Sequence, residues 1–217
     1  MTTDHAVTTR RRAATRARLL NAAREVIAEK GAGGATVEGI AERAGFTRGA
    51  FYSNYSSLDE LIVDLIRDVG EVRLQDVRDA AAQFAFNKTP GLTMGEALSG
   101  GVREFVHLLQ PPMQEVLLQA ELRLYALRHD GAREGYVAVV HETMTGVYAI
   151  IESLCGSVNA RIRTSPQITM EILLGFFDQG SAMSYLDLGR IDANAQVARL
   201  TQLIDVIIAT DETDQPC

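Results

Sequence analysis

The chain has 217 residues, of which 47% are hydrophobic, and a formal net charge of −7 at pH 7. That length and apolar content can bury one substantial core, or one small and one medium domain. No apolar stretch approaches the roughly 18 residues of a membrane-spanning helix. The two cysteines, Cys155 and Cys217, have neither a disulfide framework nor metal-ligand spacing. We therefore expect a cytoplasmic protein without metal, cofactor or membrane partner.

The charge is unevenly distributed. Residues 1–60 contain nine basic and seven acidic residues, whereas residues 61–217 contain 12 and 21. An acidic protein with one basic end can bind a polyanion through that end. An arginine-rich extension before the first helix suits minor-groove or phosphate contacts, although a disordered, solvated tail would have the same sequence. The arginines of this tail are Arg10, Arg11, Arg12, Arg16 and Arg18.

The first predicted helix covers residues 10–30 and ends at Gly31. Two much shorter helical patterns follow, joined by a turn at Gly45. Thr36 can cap the first short helix and Thr47 the second, because a threonine hydroxyl accepts a hydrogen bond from a free N–H at a helix start. Two such helices joined by so short a turn are typical of a helix-turn-helix, which places its second helix in the major groove of DNA.

The faces of these short helices can be assigned from their spacing. Residues expected to face inward are Ile40, Ala41, Ala44, Ala50, Phe51 and Tyr55. Residues expected on the exposed side of the second short helix are Thr47, Arg48, Gly49, Tyr52, Ser53 and Asn54. Ser57 and Glu60 then have the spacing of a capping box, which opens the next helix.

The series TVxxIAxxAGFTxGAFYxxY, from Thr36 to Tyr55, resembles the DNA-binding domain of TetR-family transcriptional regulators. The resemblance is close over the first part of the chain; the remainder is similar only in length and helical character. It implies that Thr47 and Tyr52 contact phosphates. It also implies that base edges face Arg48, Gly49, Ala50, Ser53 and Asn54, and Thr36 completes the expected DNA-binding set. Physical chemistry agrees, since arginine is the usual reader of guanine.

Two positions depart from the family pattern. Leu58 stands where family members usually have a lysine that contacts the DNA backbone. Glu38 occupies a helix position from which some members reach DNA. Both changes should weaken phosphate binding if these positions face DNA. Alternatively, Glu38 favours the positive end of its own helix and Leu58 packs against a neighbouring helix, and neither touches DNA.

Everything after Leu58 has the pattern of helices, so the predicted fold is all-α. Two long helices, 136–157 and 166–188, are apolar on more than one face, which indicates burial nearly all round. The resemblance implies that they pair with a second copy as a four-helix bundle; a monomer core would also bury them. The further predicted helices are 58–84, about 93–109 opened by a Thr93 and Glu96 capping box, 113–128 and 192–209.

The sequence offers little for an enzyme. His141-Glu142 lacks the second histidine of a zinc-binding HExxH helix, and the chain has no glycine-rich phosphate loop. The resemblance instead implies a small-molecule site in the C-terminal domain. Glu121 and Asp178 lie on apolar helix faces and need a partner there. That partner is either an internal arginine, such as Arg103, Arg123 or Arg128, or a ligand that also contacts His107, Tyr125, His141 or Tyr148.

Together these features predict two domains. Residues 1–57 form a three-helix, helix-turn-helix DNA-binding domain, and residues 58–217 form a larger helical ligand-binding and dimerisation domain. The predicted function is that of a homodimeric transcriptional repressor, released from a near-palindromic operator on double-stranded DNA by a small-molecule effector. The alternative is a helix-turn-helix protein that binds DNA weakly and acts mainly as an interaction partner, as Leu58 and Glu38 suggest.

Overall fold

The computed structural model describes residues 3–86, 103, 106–107, 110–157 and 160–210. The Thr93 and Glu96 capping box and Cys217 lie outside these residues, as does most of the helix predicted near residues 93–109. The fold is all-α. Its helices are α1 (Thr3–Lys30), α2 (Val37–Arg43), α3 (Arg48–Tyr52), α4 (Leu58–Phe86), α5 (Met113–Arg128), α6 (Asp130–Ser157), α7 (Pro166–Leu188) and α8 (Ala193–Ile207), with a 3-10 turn at Ala32–Gly34 after α1.

Helix α6 begins earlier than the sequence indicates. Gly131 and Gly135 predict a loop, but both lie inside the helix, which starts at Asp130. A Cβ at Gly135 would lie 2.6 Å from Cγ1 of Val63, and a Cβ at Gly131 would meet the carboxylate of Asp59. The glycines therefore allow the start of α6 to approach α4 closely, which explains why two helix-weakening residues stand in a helix.

Two short strands interrupt the helical pattern. Strand β1 (Ala160–Ile162) pairs antiparallel with β2 (Ile208–Thr210), with Ile162 opposite Ile208. The predicted helix 192–209 therefore ends at Ile207, and its last predicted residues form a strand. Three-residue strands are too short for alternating hydrophobicity to reveal them.

The chain divides into two compact units. The first takes in the described residues of Met1–Gly70 and Gln114–Val140, and the second those of Glu71–Met113 and His141–Cys217. Helix α5 thus belongs to the same unit as α1 to α3, although it lies far from them in sequence. This division concerns packing, and the functional boundary between residues 57 and 58 stays a prediction.

The first unit has one continuous apolar core. All four N-terminal helices contribute to it, and α5 adds Leu118 and Leu122. The residues expected to face inward on the short helices are buried, with Ala50 partly so. Other fully buried members of this core are Leu19, Ala23, Ile27, Leu61, Ile62 and Leu65.

Helix α5 also makes polar contacts along its inward face. Near its start, the Glu115 carboxylate accepts a hydrogen bond from Arg24 on α1 at 2.8 Å. One turn and a half later, Oε2 of Glu121 accepts from the backbone N–H of Ala32 at 2.9 Å. Near its end, the Tyr125 hydroxyl donates to Asp59 on α4 at 2.6 Å. These contacts hold α5 against the elements on either side of the helix-turn-helix.

The second unit has a smaller core. Met170 and Leu173 of α7, Leu200 and Ile207 of α8, and Val106 are buried in it. Helix α6 packs Met144, Val147 and Ile151 against this cluster, and Phe176 and Phe177 lie at its edge in a T-shaped ring contact. Within this unit Arg73 of α4 forms an ion pair with Asp178 of α7 at 3.4 Å.

Glu121 should contribute to stability through its backbone contact. Replacing it with alanine leaves the N–H of Ala32 without this acceptor and should lower the free energy of unfolding by about 1–2 kcal/mol. Glu121→Gln keeps an acceptor oxygen at the same place and should cost less. Urea unfolding of both variants measures the difference. Equal losses would mean that the negative charge, rather than the acceptor, carries the effect.

Candidate nucleic-acid interface

Side-chain caps at the starts of α2 and α3 stabilise the helix-turn-helix. The backbone N–H of Gly39 donates to Oγ1 of Thr36 at 3.1 Å, and that of Ala50 donates to Oγ1 of Thr47 at 3.2 Å. Both predicted threonine caps are confirmed. Gly45 has a φ of 71° in the turn between the helices. Residues other than glycine rarely adopt such a backbone φ. Gly45 therefore fixes where α2 stops and α3 starts.

Two buried rings anchor α3 from beneath. Phe51 and Tyr55 are buried, and the Tyr55 hydroxyl donates to Oδ2 of Asp64 at 2.7 Å. The same carboxylate oxygen pairs with Arg16 at 2.8 Å, and the Arg16 guanidinium lies 4.2 Å from the centre of the Tyr55 ring. Burial, together with the bond to Asp64, raises the pKa of Tyr55 well above its ordinary value.

Two arginines of the basic tail are used inside the domain. Arg16 pairs with Asp64, and Arg18 donates to the main-chain oxygen of Ala44 at 2.6 Å. The remaining three, Arg10, Arg11 and Arg12, are exposed on α1. The tail is therefore part of the first helix from Thr3 onward, seven residues earlier than the sequence indicates.

The outward face of α3 carries most of the expected reading residues. Exposed side chains or backbone are found at Thr47, Arg48, Gly49, Tyr52 and Ser53. The Ser53 hydroxyl donates back to the main-chain oxygen of Gly49 at 2.9 Å, so it is partly engaged by its own helix. Thr36 is exposed at the start of α2.

Asn54 is a correction to the expected exposed face. Its side chain is buried, and Nδ2 donates to the main-chain oxygen of Ala50 at 2.9 Å. Its Oδ1 is buried and has no hydrogen-bond partner among the described residues. The side chain turns inward because α3 ends at Tyr52 and leaves the Ala50 carbonyl without a helical partner.

Glu38 and Arg48 form an ion pair that the sequence analysis did not identify. Oε1 of Glu38 lies 2.7 Å from Nη1 of Arg48, and the two side chains are 58% and 63% exposed. The guanidinium also lies 5.5 Å from the centre of the Tyr52 ring. The Tyr52 side chain, through a hydrogen bond, and then Glu38 raise the pKa of Arg48. A helix-turn-helix brings the first turns of α2 and α3 together, which is the signal that could have revealed the pair.

Residues 19–65 match the model of the bacterial regulatory proteins of the tetR family. The helix-turn-helix segment of the chain is therefore similar to the DNA-binding region of that family. The chain has a TetR-like fold with an N-terminal helix-turn-helix. The matched residues contain the end of α1, all of α2 and α3 and the start of α4, which are the elements that position the exposed face of α3.

Solved structures share the TetR fold of this chain. A TetR-family transcriptional regulator from Mesorhizobium loti has a TM-score of 0.69 at 14% identity, over 90% of this chain and 96% of that one. The transcriptional regulator FadR from Bacillus subtilis, in complex with stearoyl-CoA, has a TM-score of 0.62 at 17% identity, over 86% and 96%. The multidrug binding protein EbrR, in complex with ethidium, has a TM-score of 0.58 at 26% identity, over 87% and 98%. No curated protein matches the chain in sequence.

Leu58, which stands where the TetR pattern has a lysine, packs against protein. It is the first residue of α4 and packs, partly buried, against the apolar core of the first unit. The predicted capping box is only half formed. Ser57 accepts from the N–H of Glu60 at 3.1 Å, but the Glu60 carboxylate accepts from the N–H and the hydroxyl of Ser56, both at 2.7 Å. These bonds from Ser56 lower the pKa of Glu60.

The expected ligand contacts are divided between the two units. Glu121 and Tyr125 belong to the first unit, while the other four residues belong to the second. Asp178 forms an ion pair with Arg73, an arginine that was not among the expected partners, and Glu121 contacts a backbone N–H. The side chains of His107 and His141 are exposed, whereas Tyr148 is partly buried beside the second core.

The first unit also has an open surface recess of about 540 Å³. Its walls include four carboxylates and two arginines, so it is more highly charged than a typical small-molecule site. Across the residues that the structure describes, no group of three His, Cys, Asp or Glu side chains could hold a metal ion. In the same part of the chain no helix is both long and apolar enough to cross a bilayer. The residues around the recess are Arg16, Ser57, Asp59, Glu60, Val63, Asp64, Arg67, Gly131, Glu134 and Gly135.

The raised pKa of Tyr55 gives an alkaline test of this anchoring. Below about pH 10 tyrosine is neutral in both the folded and the unfolded chain. Above that pH the unfolded tyrosine ionises while the buried one stays protonated, so the free energy of unfolding should fall by up to about 1.4 kcal/mol per pH unit. Tyr55→Phe should flatten this fall in urea unfolding between pH 9 and 11. An unchanged slope would show that other groups cause it.

Proposed function

We propose that this regulator is a homodimeric repressor, that α3 reads a near-palindromic operator on double-stranded DNA, and that a small-molecule effector lowers its affinity for that operator. The observation that carries the proposal is the outward face of α3, where Arg48 stands exposed on a capped and anchored helix. We place its action in the cytoplasm with the DNA, and propose no catalytic role.

The chemistry of α3 suits the major groove. An arginine can donate to O6 and N7 of guanine together, and hydroxyl groups such as those of Thr47 and Tyr52 can donate to phosphate oxygens. Gly49 has no side chain, so nothing at that position keeps the backbone from the base edges. Thr36, Ala50 and Ser53 complete the proposed DNA-binding set, in which Asn54 acts by shaping the end of α3.

Arg48 should determine sequence preference. If it is bidentate to a guanine, Arg48→Ala should cost about 1–3 kcal/mol on the specific site and should relax preference at one position of it. Gel shifts on selected and scrambled duplexes measure both effects. Arg67→Ala is a suitable control, because this exposed arginine lies on α4. Equal losses on both duplexes would instead make Arg48 a phosphate contact.

Helix α7 supports a dimer through the second unit. Its exposed face carries Ile168, Gly175, Met183 and Leu186, which follow one another at intervals of about one or two helical turns. Apolar side chains repeated along one exposed helix face are typical of a surface that a partner helix covers. Helix α6 exposes small residues, among them Ala149, which would allow a close approach. A twofold dimer would then place its recognition helices about 34–36 Å apart, one turn of DNA.

A test of the dimer needs an apolar residue that is exposed in the single chain. Phe176 and Val147 are unsuitable, because both pack partly against the second core and a charge there would also disturb folding. Leu186 is 78% exposed, and Leu186→Glu should yield a folded monomer because a carboxylate cannot be buried unpaired in an apolar interface. Sedimentation velocity and circular dichroism measure the two properties.

A matched control keeps that test specific. Val206 of α8 is 68% exposed and lies outside the α7 face, so Val206→Glu should leave the dimer intact. A monomeric wild-type chain at micromolar concentration would exclude the dimer. Dissociation by both variants alike would show that added charge, rather than the α7 face, controls association.

The proposed effector is a small molecule bound in the C-terminal part of the chain. Support comes from two proteins of similar fold, EbrR with ethidium and FadR with stearoyl-CoA. Candidate contacts of the second unit are His107, His141, Tyr148 and Asp178; Glu121 and Tyr125 of the first unit already have protein partners. A thermal-shift screen identifies compounds that bind the folded chain, and release of the operator in a gel shift then separates an effector from a passive ligand.

A second candidate function is an interaction partner with weak affinity for DNA. Two observations favour it: Leu58 is used in packing, and Glu38 pairs with the arginine that should read a base. A gel shift at low salt distinguishes the two functions. A repressor shifts its own upstream duplex far below the concentration needed for random DNA, whereas an interaction partner shows equal and weak binding to both.

A further inference from the structure

Glu38 and Arg48 lie side by side on the face proposed to meet DNA. Oε1 of Glu38 is 2.7 Å from Nη1 of Arg48, and both side chains are more than half exposed. Exposed ion pairs contribute little to stability, so the fold of the domain does not require this one. Glu38 lies in the first turn of α2 and Arg48 is the first residue of α3, so the pair lies on the surface proposed to bind DNA.

The pair presents hydrogen-bond donors beside an acceptor. The contact uses one terminal nitrogen of Arg48 and one carboxylate oxygen of Glu38, so Nη2, Nε and the second oxygen Oε2 lie outside it. A G·C pair presents the complementary order in the major groove: acceptors at N7 and O6 of guanine, followed by the N4 amino donor of cytosine. The side chains therefore match both bases of one pair.

We propose that Glu38 is a specificity-determining residue, whose carboxylate accepts a hydrogen bond from the N4 amino group of the cytosine paired with the guanine that Arg48 reads. This rests on the proposed function, because it requires α3 to enter the major groove. An A·T pair presents the O4 acceptor of thymine where cytosine has its amino group, and a carboxylate is repelled there. Glu38 thus adds rejection of A·T to the preference for guanine that Arg48 supplies.

The competing explanation of Glu38 is simple charge repulsion. A carboxylate near the DNA backbone weakens binding to every duplex, whatever its sequence, and changes the salt dependence of affinity. A base contact instead changes affinity at one base pair and depends on one chemical group of that pair. Glu42 provides a matched control, since it is an exposed carboxylate one turn further along α2.

The test removes the N4 amino group alone. Binding sites are first selected from random duplexes with the full chain, and the G·C pair at which Arg48→Ala loses discrimination is located. Its cytosine is then replaced by pyrimidin-2-one, which still pairs with guanine but lacks the amino group. Wild-type protein should bind this duplex roughly tenfold more weakly, the range of a hydrogen bond to a charged group. Glu38→Ala should lose less than about twofold, and Glu42→Ala should lose as much as the wild type.

Several outcomes would overturn the inference. One is a wild-type protein that binds both duplexes equally, and another is a Glu38→Ala variant that keeps the full tenfold loss. A third is a uniform gain on all duplexes for both Glu38→Ala and Glu42→Ala, which would establish charge repulsion. Specific binding without any position that depends on Arg48 removes the inference but leaves the proposed function. Failure to enrich any sequence removes both.

Discussion

The orientation of α3 depends on the burial of two aromatic rings on its inner side. The helix has only five residues, too few to be stable alone in water. Phe51 and Tyr55 bind it to the core, and the Tyr55 hydroxyl, Asp64 and Arg16 connect its end to α4 and α1. Because Arg48 and Tyr52 lie on the opposite side of so short a helix, the same burial keeps them exposed. The exposed face proposed to read DNA is therefore a consequence of the core beneath it.

Helix α5 extends that core from a distant part of the sequence. Its inward face alternates apolar residues with three polar groups that contact α1, the turn after α1, and α4. Glu121 satisfies the N–H of Ala32 just after Gly31, whose φ of 75° ends α1. An apolar residue at position 121 has no acceptor atom and would leave the N–H of Ala32 without this hydrogen bond. Polar groups on α5 thus contact the elements on either side of the helix-turn-helix, and two expected ligand contacts, Glu121 and Tyr125, therefore already have protein partners.

The sequence predicts those features that depend on neighbouring residues. Both threonine caps and the bounds of α5 and α7 follow from local hydrogen bonding and helical periodicity, and the structure confirms them. Features that depend on packing between helices, or on where a short helix ends, were wrong or missing. Gly131 favours a loop in the sequence, but in the structure it lies in a helix because α4 packs closely against it. Asn54 has the spacing of an exposed residue, but its side chain turns inward because its helix ends early. No local pattern pairs Glu38 with Arg48, because only the turn between their helices brings them together.

The distribution of positive charge determines how such a protein can discriminate between DNA sequences. On α2 and α3 both arginines already have carboxylate partners, since Arg43 pairs with Glu25 and Glu29, and Arg48 pairs with Glu38. Arg10, Arg11 and Arg12, which are exposed on α1, are then available for the phosphate attraction that the proposed function requires. Non-specific affinity arises almost entirely from such phosphate contacts, whereas base contacts add only on the correct site. If α2 and α3 meet DNA as proposed, neutralising their arginines lowers general affinity, and the preference for one sequence over random DNA then depends mainly on base contacts of α3.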